Sequence, residues 1–299
     1  MVWSGIFPAV TTKLRPDGSL DLDAMQGSLD RLARSGVAGV VVLPMLGENA
    51  SLEPAERDAV VSAAREAIAG RITLLTGLAE RSTADATAAA KNYRRLGSEG
   101  LMVFPSIAYP TDRRETVAWY RTVAGASDLP IMIYNNPIAY KVDVDVETLE
   151  QLAAVPEIVC IKEETGDIRR ITDLANAFGD RFALFCGVDD LILESLALGA
   201  TGWVSGMANV WPTECLRLFN AMHAGDLAGA RFLYRMMTPA FHLDTDVKLV
   251  QYIKLAEHLV YGAPEHVRPP RLPLEGGERA WVEGVVRRTI AALERFQRN

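Results

Sequence analysis

Eight short apolar segments, rich in residues that favour β-strands, recur along the first two thirds of the chain at a fairly steady interval. They occupy residues 5–12, 36–43, 72–78, 100–105, 130–136, 158–163, 182–187 and 200–207. Their nearly continuous hydrophobicity is typical of parallel strands that are covered on both faces. The stretches between them have the period of amphipathic helices. Eight alternating strand and helix units predict a (β/α)8 TIM barrel.

The helical stretches agree with this architecture and continue after the last strand. We predict helices at residues 21–35, 54–69, 83–96, 115–124, 145–154, 167–178 and 189–198. A doubly wound sheet is the alternative, but it usually has fewer strands and a glycine-rich first turn, which this sequence lacks. After residue 207 only helical patterns follow. We therefore predict a barrel that carries the active site over residues 1–225 and a C-terminal helical extension over residues 226–299.

The charge of the chain argues against two classes of partner. The formal net charge is −7, whereas nucleic acids and anionic membranes attract basic surfaces. No apolar run in the sequence is long enough to span a bilayer. The first residues also lack the basic segment and long apolar run of a secretion signal. We expect a cytoplasmic protein with no nucleic-acid partner and no membrane partner.

The residue types that usually bind metals or nucleotides are sparse. Cys160, Cys186 and Cys215 are far apart, and we predict that they are core residues in a reducing compartment. The four histidines all lie in the last third of the chain, without the HExxH spacing of zinc sites. The sequence also has no P-loop and no GxGxxG motif. It therefore predicts neither a metal nor a nucleotide cofactor.

Lys162 stands near the end of the apolar run 158–163, where a lysine is unusual. Burial favours the neutral amine, and lowering the pKa of a lysine by about three units costs about 4 kcal/mol. A neutral amine attacks carbonyl carbons and forms Schiff bases, so Lys162 is a candidate catalytic residue. The alternative is a lysine that reaches the rim and pairs with Glu163 or Glu164. Tyr134, on the preceding strand, favours catalysis, because a phenol near an imine-forming lysine can relay protons.

The loop after the second strand and the acidic residues after the seventh are further candidates. The backbone amides of Met45, Leu46 and Gly47 can form a nest that binds a carboxylate, and glycine allows a close approach. We interpret Asp189 and Asp190 as the start of the next helix, where acidic residues suit the helix dipole. Metal-dependent aldol chemistry is an alternative. It requires clustered histidine and carboxylate ligands, and no predicted strand carries a histidine.

Several motifs follow one another in an order that resembles a known family. They are IFPAVTT, GEN after the second strand, YNNP, IKEETGD, CGVDD and GATGWVSGMANV. Together they resemble the dihydrodipicolinate synthase / N-acetylneuraminate lyase superfamily of class I aldolases, and the resemblance covers nearly the whole chain. It implies a barrel with a C-terminal helical extension, assembled as a homotetramer (a dimer of dimers). It implies no cofactor other than a covalent lysine imine with the substrate.

The resemblance also implies roles for individual residues. Lys162 is the Schiff-base lysine and Tyr134 is the proton relay. The Met-Leu-Gly loop after the second strand holds the carboxylate of a 2-oxo acid such as pyruvate. Gly187 and Val204 line the pocket in which the imine forms.

Three positions depart from the pattern of the family. The loop usually carries two hydroxyl side chains that bind the carboxylate of pyruvate, and here Met45 and Leu46 replace them. Ala139 replaces the arginine that binds the second substrate of the synthase. The tyrosine that a neighbouring subunit supplies falls near Ile107, with Tyr109 close enough to substitute for it. These departures argue against a dihydrodipicolinate synthase and against an N-acetylneuraminate lyase.

The sequence thus predicts a Schiff-base lyase of the dehydratase, deaminase or aldolase type, which acts on a 2-oxo acid or a cyclic imino acid. The synthase proper and the N-acetylneuraminate lyase proper are alternatives. A catalytically inactive sensor of 2-oxo acids is another. The presence of both Lys162 and Tyr134 argues against the sensor, because an inactive site has no reason to keep a costly buried lysine.

Overall fold

The computed structural model describes residues 3–298, with the side chains of residues 3–295. Eight strands form one parallel sheet. They are β1 (Gly5–Pro8), β2 (Gly39–Val42), β3 (Thr73–Leu78), β4 (Gly100–Val103), β5 (Ile131–Asn135), β6 (Ile158–Glu163), β7 (Ala183–Cys186) and β8 (Gly202–Ser205). Almost every strand residue is buried, which explains why the apolar runs in the sequence are continuous and not alternating.

The sheet closes into a barrel. Strands β2 to β8 are neighbours in chain order, and β8 pairs with β1. A parallel bridge joins Ala9 to Val41, and the Val10 amide donates to the Val41 carbonyl at 2.9 Å, so the chain after β1 connects to β2. The predicted segment 5–12 is longer than β1 because residues 9 and 10 turn from β8 towards β2. The predicted (β/α)8 barrel is confirmed.

Helices connect the strands. They are α1 (Leu22–Ser35), α2 (Pro54–Ile68), α3 (Thr83–Arg95), α4 (Arg113–Ser127), α5 (Pro137–Tyr140), α6 (Val146–Leu152), α7 (Arg169–Phe178), α8 (Ile192–Ala197) and α9 (Pro212–His223). Local sequence fixes several of their starts. Pro54 opens α2 inside a capping box, and the Asp112 side chain caps α4 with Glu115 as its capping-box partner. The predicted helix 189–198 is a 3-10 turn, Asp189–Leu191, followed by α8.

Three further helices follow the barrel. They are α10 (Leu227–Phe241), α11 (Leu249–Tyr261) and α12 (Gly276–Arg298), and a 3-10 turn at His242–Thr245 lies between α10 and α11. The C-terminal helical extension is therefore present. The division into two domains at residue 225 falls in the turn between α9 and α10 and stays a prediction.

Buried ion pairs fasten α11 to the barrel. The Lys13 ammonium lies 2.6 Å from a Glu257 carboxylate oxygen, and Lys254 pairs with Glu48. All four side chains are almost completely inaccessible to solvent. Removing one partner of such a pair strands a buried charge and costs about 3–5 kcal/mol. The extension is therefore held firmly beside the mouth of the barrel.

Two structural observations bear on metals and membranes. Among the described residues, no group of three or more His, Cys, Asp or Glu side chains is arranged to hold a metal ion. No helix within the described part of the chain has both the length and the apolar composition that crossing a membrane requires.

Candidate active site

A small cavity lies at the carboxyl ends of the barrel strands, where barrel enzymes carry their active sites. Its volume is about 20 Å³. The lining residues are Ala9, Pro44, Met45, Leu46, Met102, Tyr134, Lys162, Glu164, Gly187, Val204, Gly206, Asp244 and Leu249. The structure therefore brings together six of the eight predicted site residues, Lys162 among them; the two that do not line the cavity are Gly47 and Tyr109.

Lys162 lies on β6 directly beside Tyr134 on β5. Its side chain is almost entirely buried, and its Nζ lies 4.1 Å from the centroid of the Tyr134 ring. The ammonium forms an ion pair with Glu164. Gly187 permits this position, because a Cβ at residue 187 would lie only 2.8 Å from Cε of Lys162. The lysine thus has an acidic partner, as in the alternative of a lysine that pairs with Glu163 or Glu164. The pair, however, lies inside the cavity and not at an exposed rim.

Tyr134 is held rigidly beside the lysine. Its ring packs edge-on against Phe104, with centroids 4.7 Å apart, and against Tyr140. Asn136 donates a hydrogen bond from Nδ2 to the Tyr134 hydroxyl at 3.0 Å. Burial raises the pKa of Tyr134 well above its ordinary value, and the Glu164 carboxylate raises that pKa further. The phenol therefore stays protonated and can donate a proton next to the lysine.

Glu164 is a site residue that the sequence reasoning treated only as a pairing partner. One carboxylate oxygen of Glu164 pairs with Lys162, and the other accepts from Asn136 Nδ2 at 2.9 Å. A signal for this role does exist in the sequence, because residues two apart on a strand share a face. Glu163 points the other way and accepts from Asn135 and from the Thr165 amide.

Asp189 and Asp244 add two more carboxyl groups near the lysine. Asp189 accepts from Trp203 Nε1 at 2.8 Å and from the Met207 amide at 2.7 Å, so it begins a 3-10 turn and also fixes β8. Burial raises the pKa of Asp189 to about 7. Burial, then the nearby Asp189 and Glu164 carboxylates, raise the pKa of Asp244 well above its ordinary value. The site is thus less negative at neutral pH than three ionised carboxylates would make it, which suits an anionic substrate.

The raised pKa of Asp189 predicts how the stability of the protein depends on pH. Its pKa rises from an ordinary 3.8 to about 7 on folding, so between these values the folded state binds the extra proton. The free energy of unfolding is therefore expected to fall as the pH rises, by about 2 kcal/mol between pH 5 and pH 7. Urea unfolding at a series of pH values measures this slope. Asp189→Asn should flatten it, and a free energy of unfolding that rises over this window would contradict the assignment.

The loop after β2 is only partly as predicted. Met45 and Leu46 line the cavity, and within residues 3–298 their amides donate no hydrogen bond, which leaves both available to a carboxylate. The Gly47 amide donates to the Pro44 carbonyl at 3.0 Å inside the turn, so a role for Gly47 in carboxylate binding stays a prediction. Gly47 also accepts from Thr12 Oγ1 through its own carbonyl. The tight turn therefore uses one of the three amides that the sequence assigned to substrate.

The other predicted residues divide into two groups. Val204 on β8 is buried and lines the cavity with Gly187. Tyr109 lies outside the cavity, 55% exposed, and its hydroxyl donates to Glu115 at 2.9 Å. A role for Tyr109 in the site of a neighbouring subunit stays a prediction.

Comparisons with known proteins support the barrel fold. The profile of the Dihydrodipicolinate synthetase family matches residues 2–289. The chain is 31% identical over 273 residues to an uncharacterized DapA-like lyase from Rhizobium meliloti, with 91% of each chain covered. It is 37% identical over 234 residues to a 4-hydroxy-tetrahydrodipicolinate synthase from Sorangium cellulosum, with 76% of each chain covered. The crystal structure of the chloride-inhibited dihydrodipicolinate synthase from Acinetobacter baumannii complexed with pyruvate superposes with a TM-score of 0.91, at 25% identity over 96% of this chain and 98% of that one.

Proposed function

This chain belongs to the dihydrodipicolinate synthetase family, and from that premise we propose that it forms an imine between Lys162 and a 2-oxo acid or a cyclic imino acid. We further propose that it then eliminates water or ammonia, or cleaves a carbon–carbon bond, and does not make 4-hydroxy-tetrahydrodipicolinate. The protonated imine formed with Lys162 withdraws the electrons, so the proposed reaction requires no cofactor. Assembly as a homotetramer is part of the same proposal.

One observation carries this proposal: Glu164 pairs with Lys162 inside the cavity, beside a protonated Tyr134. Elimination from an imine needs a base for the proton on C3 and an acid for the group that leaves from C4. A carboxylate next to the imine nitrogen can serve as both in turn. Condensation with a second carbonyl compound would instead need a binding group for that compound, and Ala139 stands where the resemblance places an arginine.

Imine formation begins with proton transfer from the Lys162 ammonium to Glu164, which leaves a neutral amine. The amine attacks C2 of the 2-oxo acid, while the free amides of Met45 and Leu46 bind the substrate carboxylate. The carbinolamine takes the proton from Glu164 onto its hydroxyl, with Tyr134 as the relay, and loses water. In a cyclic imino acid the amine displaces the ring nitrogen from C2 instead.

The elimination then uses the same groups. The protonated imine withdraws electrons from C3, so the Glu164 carboxylate can remove a C3 proton and leave an enamine. The enamine electron pair expels the group on C4, which takes the proton back from Glu164 and departs as water or ammonia. Water hydrolyses the remaining imine, which releases the product and regenerates Lys162.

The synthase reaction is the second candidate, because the relatives include proteins with that name, such as the one from Sorangium cellulosum. Met45 and Leu46 weigh against it, since their side chains cannot replace the hydroxyl groups that the family uses to bind pyruvate. The cavity wall that they form is apolar.

A substrate panel separates the two candidates. We expect turnover above about 1 s⁻¹ with at least one 2-oxo-3-deoxy sugar acid or cyclic imino acid, and far slower turnover of pyruvate with aspartate semialdehyde. Mass spectrometry of the products and an ammonia assay identify the bond that breaks. Turnover of pyruvate with aspartate semialdehyde above about 1 s⁻¹ would support the synthase instead.

A further inference from the structure

The C-terminal extension covers the catalytic cavity. The 3-10 turn His242–Thr245 contributes Asp244 to its lining, and the first residue of α11 contributes Leu249. A cavity of about 20 Å³ has room for about one water molecule. Residues 245–248 of this cover are exposed to solvent, with Val247 97% exposed. A substrate that reaches Lys162 must therefore displace or contact Asp244 and Leu249.

The end of β8 makes room for the Asp244 carboxylate. A Cβ added at Gly206 would lie 2.1 Å from Asp244 Oδ1, so any side chain at residue 206 would push the carboxylate away. Asp244 lies in the field of Lys162, Glu164 and Asp189. The carboxyl group from the extension is thus seated against the barrel next to the reacting lysine.

Asp244 is the one polar side chain of the cavity lining that the proposed reaction does not use. Apart from Asp244, the polar side chains of the cavity are Tyr134, Lys162 and Glu164, which the proposed reaction uses at C2 to C4. Met45, Met102, Leu249 and their apolar neighbours form the remaining walls. A hydroxyl or amino group beyond the reacting carbons would lose its water in this site and needs a polar partner.

We propose that Asp244 is a specificity-determining residue that binds a hydroxyl or amino group of the substrate beyond the carbon that carries the leaving group. The C-terminal extension then completes the active site and selects hydroxylated 2-oxo acids over pyruvate. The inference rests on the proposed function. A site built to hydrogen-bond a hydroxyl group rejects analogues that lack it, because its own polar group is left unpaired.

The experiment compares two ligands on one set of variants. Wild type, Asp244→Ala, Asp244→Asn and Gly206→Ala are assayed with pyruvate by borohydride trapping, and with 2-oxo-3-deoxy pentonate and hexonate by turnover. We expect Asp244→Ala and Gly206→Ala to lower kcat/KM for the hydroxylated acids by about 100-fold or more. The pyruvate adduct should stay within about twofold of wild type, because pyruvate has no group for Asp244 to bind. Asp244→Asn should recover part of the loss.

The matched control is Asp246→Ala, two residues further along the same cover. Asp246 is exposed and accepts from the Lys248 amide, so its removal should change neither assay. Equal losses with pyruvate and with the hydroxylated acids, or no loss with either, would overturn the role of Asp244 while leaving the proposed function intact. No adduct and no turnover with wild type would overturn the proposed function and this inference together.

Discussion

Lys162→Ala is expected to abolish the borohydride-stable adduct with 2-oxo acids and to lower kcat/KM by at least about 10⁴-fold. Covalent catalysis through an imine cannot proceed without the amine. Catalytic groups that act together also lose most of their effect when any one of them is removed. Intact and peptide mass spectrometry after reduction with pyruvate measures the adduct directly. Wild type should carry the mass on the β6 peptide that contains Lys162.

Two other lysines make this test sharper. Lys13 and Lys254 are also buried, and burial lowers the pKa of each despite its glutamate partner. A low pKa alone would therefore not distinguish these lysines from a nucleophile. Their ammonium groups are enclosed by Glu257 and by Glu48, away from the cavity lining. An adduct on either of their peptides, or one that survives in Lys162→Ala, would contradict the assignment.

The matched control for the loss of a lysine is Lys141→Ala. Lys141 is exposed. Within the described residues, its ammonium donates to the Ile138 carbonyl and to no other group. We expect it to form the wild-type adduct. Thermal unfolding checks that Lys162→Ala is folded, since the variant leaves Glu164 without its ion-pair partner, and Lys162→Met restores the apolar stem of the side chain.

The sequence was sufficient for the parts of the site that lie on the strands. The apolar runs fix which residues end each strand, and parallel strands bring those ends to one edge. Tyr134 and Lys162 are therefore adjacent in register, as their positions predicted. The same alternation predicts that Glu164 faces the cavity and Glu163 does not, so this residue could also have been found.

The remaining parts depend on tertiary structure that no local pattern records. Asp244 reaches the cavity from a turn between two helices of the extension, and only the packing of α11 on the barrel puts it there. The Gly47 amide donates to the Pro44 carbonyl within its own turn, a detail of backbone geometry that the sequence pattern does not give. No sequence pattern singled out the turn that carries Asp244, and only the coordinates bring it to the cavity.

Glu164→Gln is expected to lower kcat for elimination by about 10³-fold and to slow imine formation with pyruvate much less, because solvent water can take the Lys162 proton and Tyr134 can still protonate the carbinolamine hydroxyl. The amide cannot take the proton from C3 or return it to the leaving group, and general acid–base catalysis contributes about 10²–10⁴-fold. Rapid-quench borohydride trapping with pyruvate measures the imine, and product release from a hydroxylated 2-oxo acid in parallel samples measures the elimination.

Two comparisons make this prediction specific to the elimination step. Tyr134→Phe should slow imine formation itself, because the relay to the carbinolamine is lost, so its adduct should accumulate more slowly than in Glu164→Gln. Glu163→Gln is the matched control on the opposite face of β6, where the carboxylate accepts from Asn135 and the Thr165 amide. If Glu164→Gln eliminated at the wild-type rate, both proton transfers would belong to another group. Tyr134 is then the group that the geometry leaves within reach of the lysine.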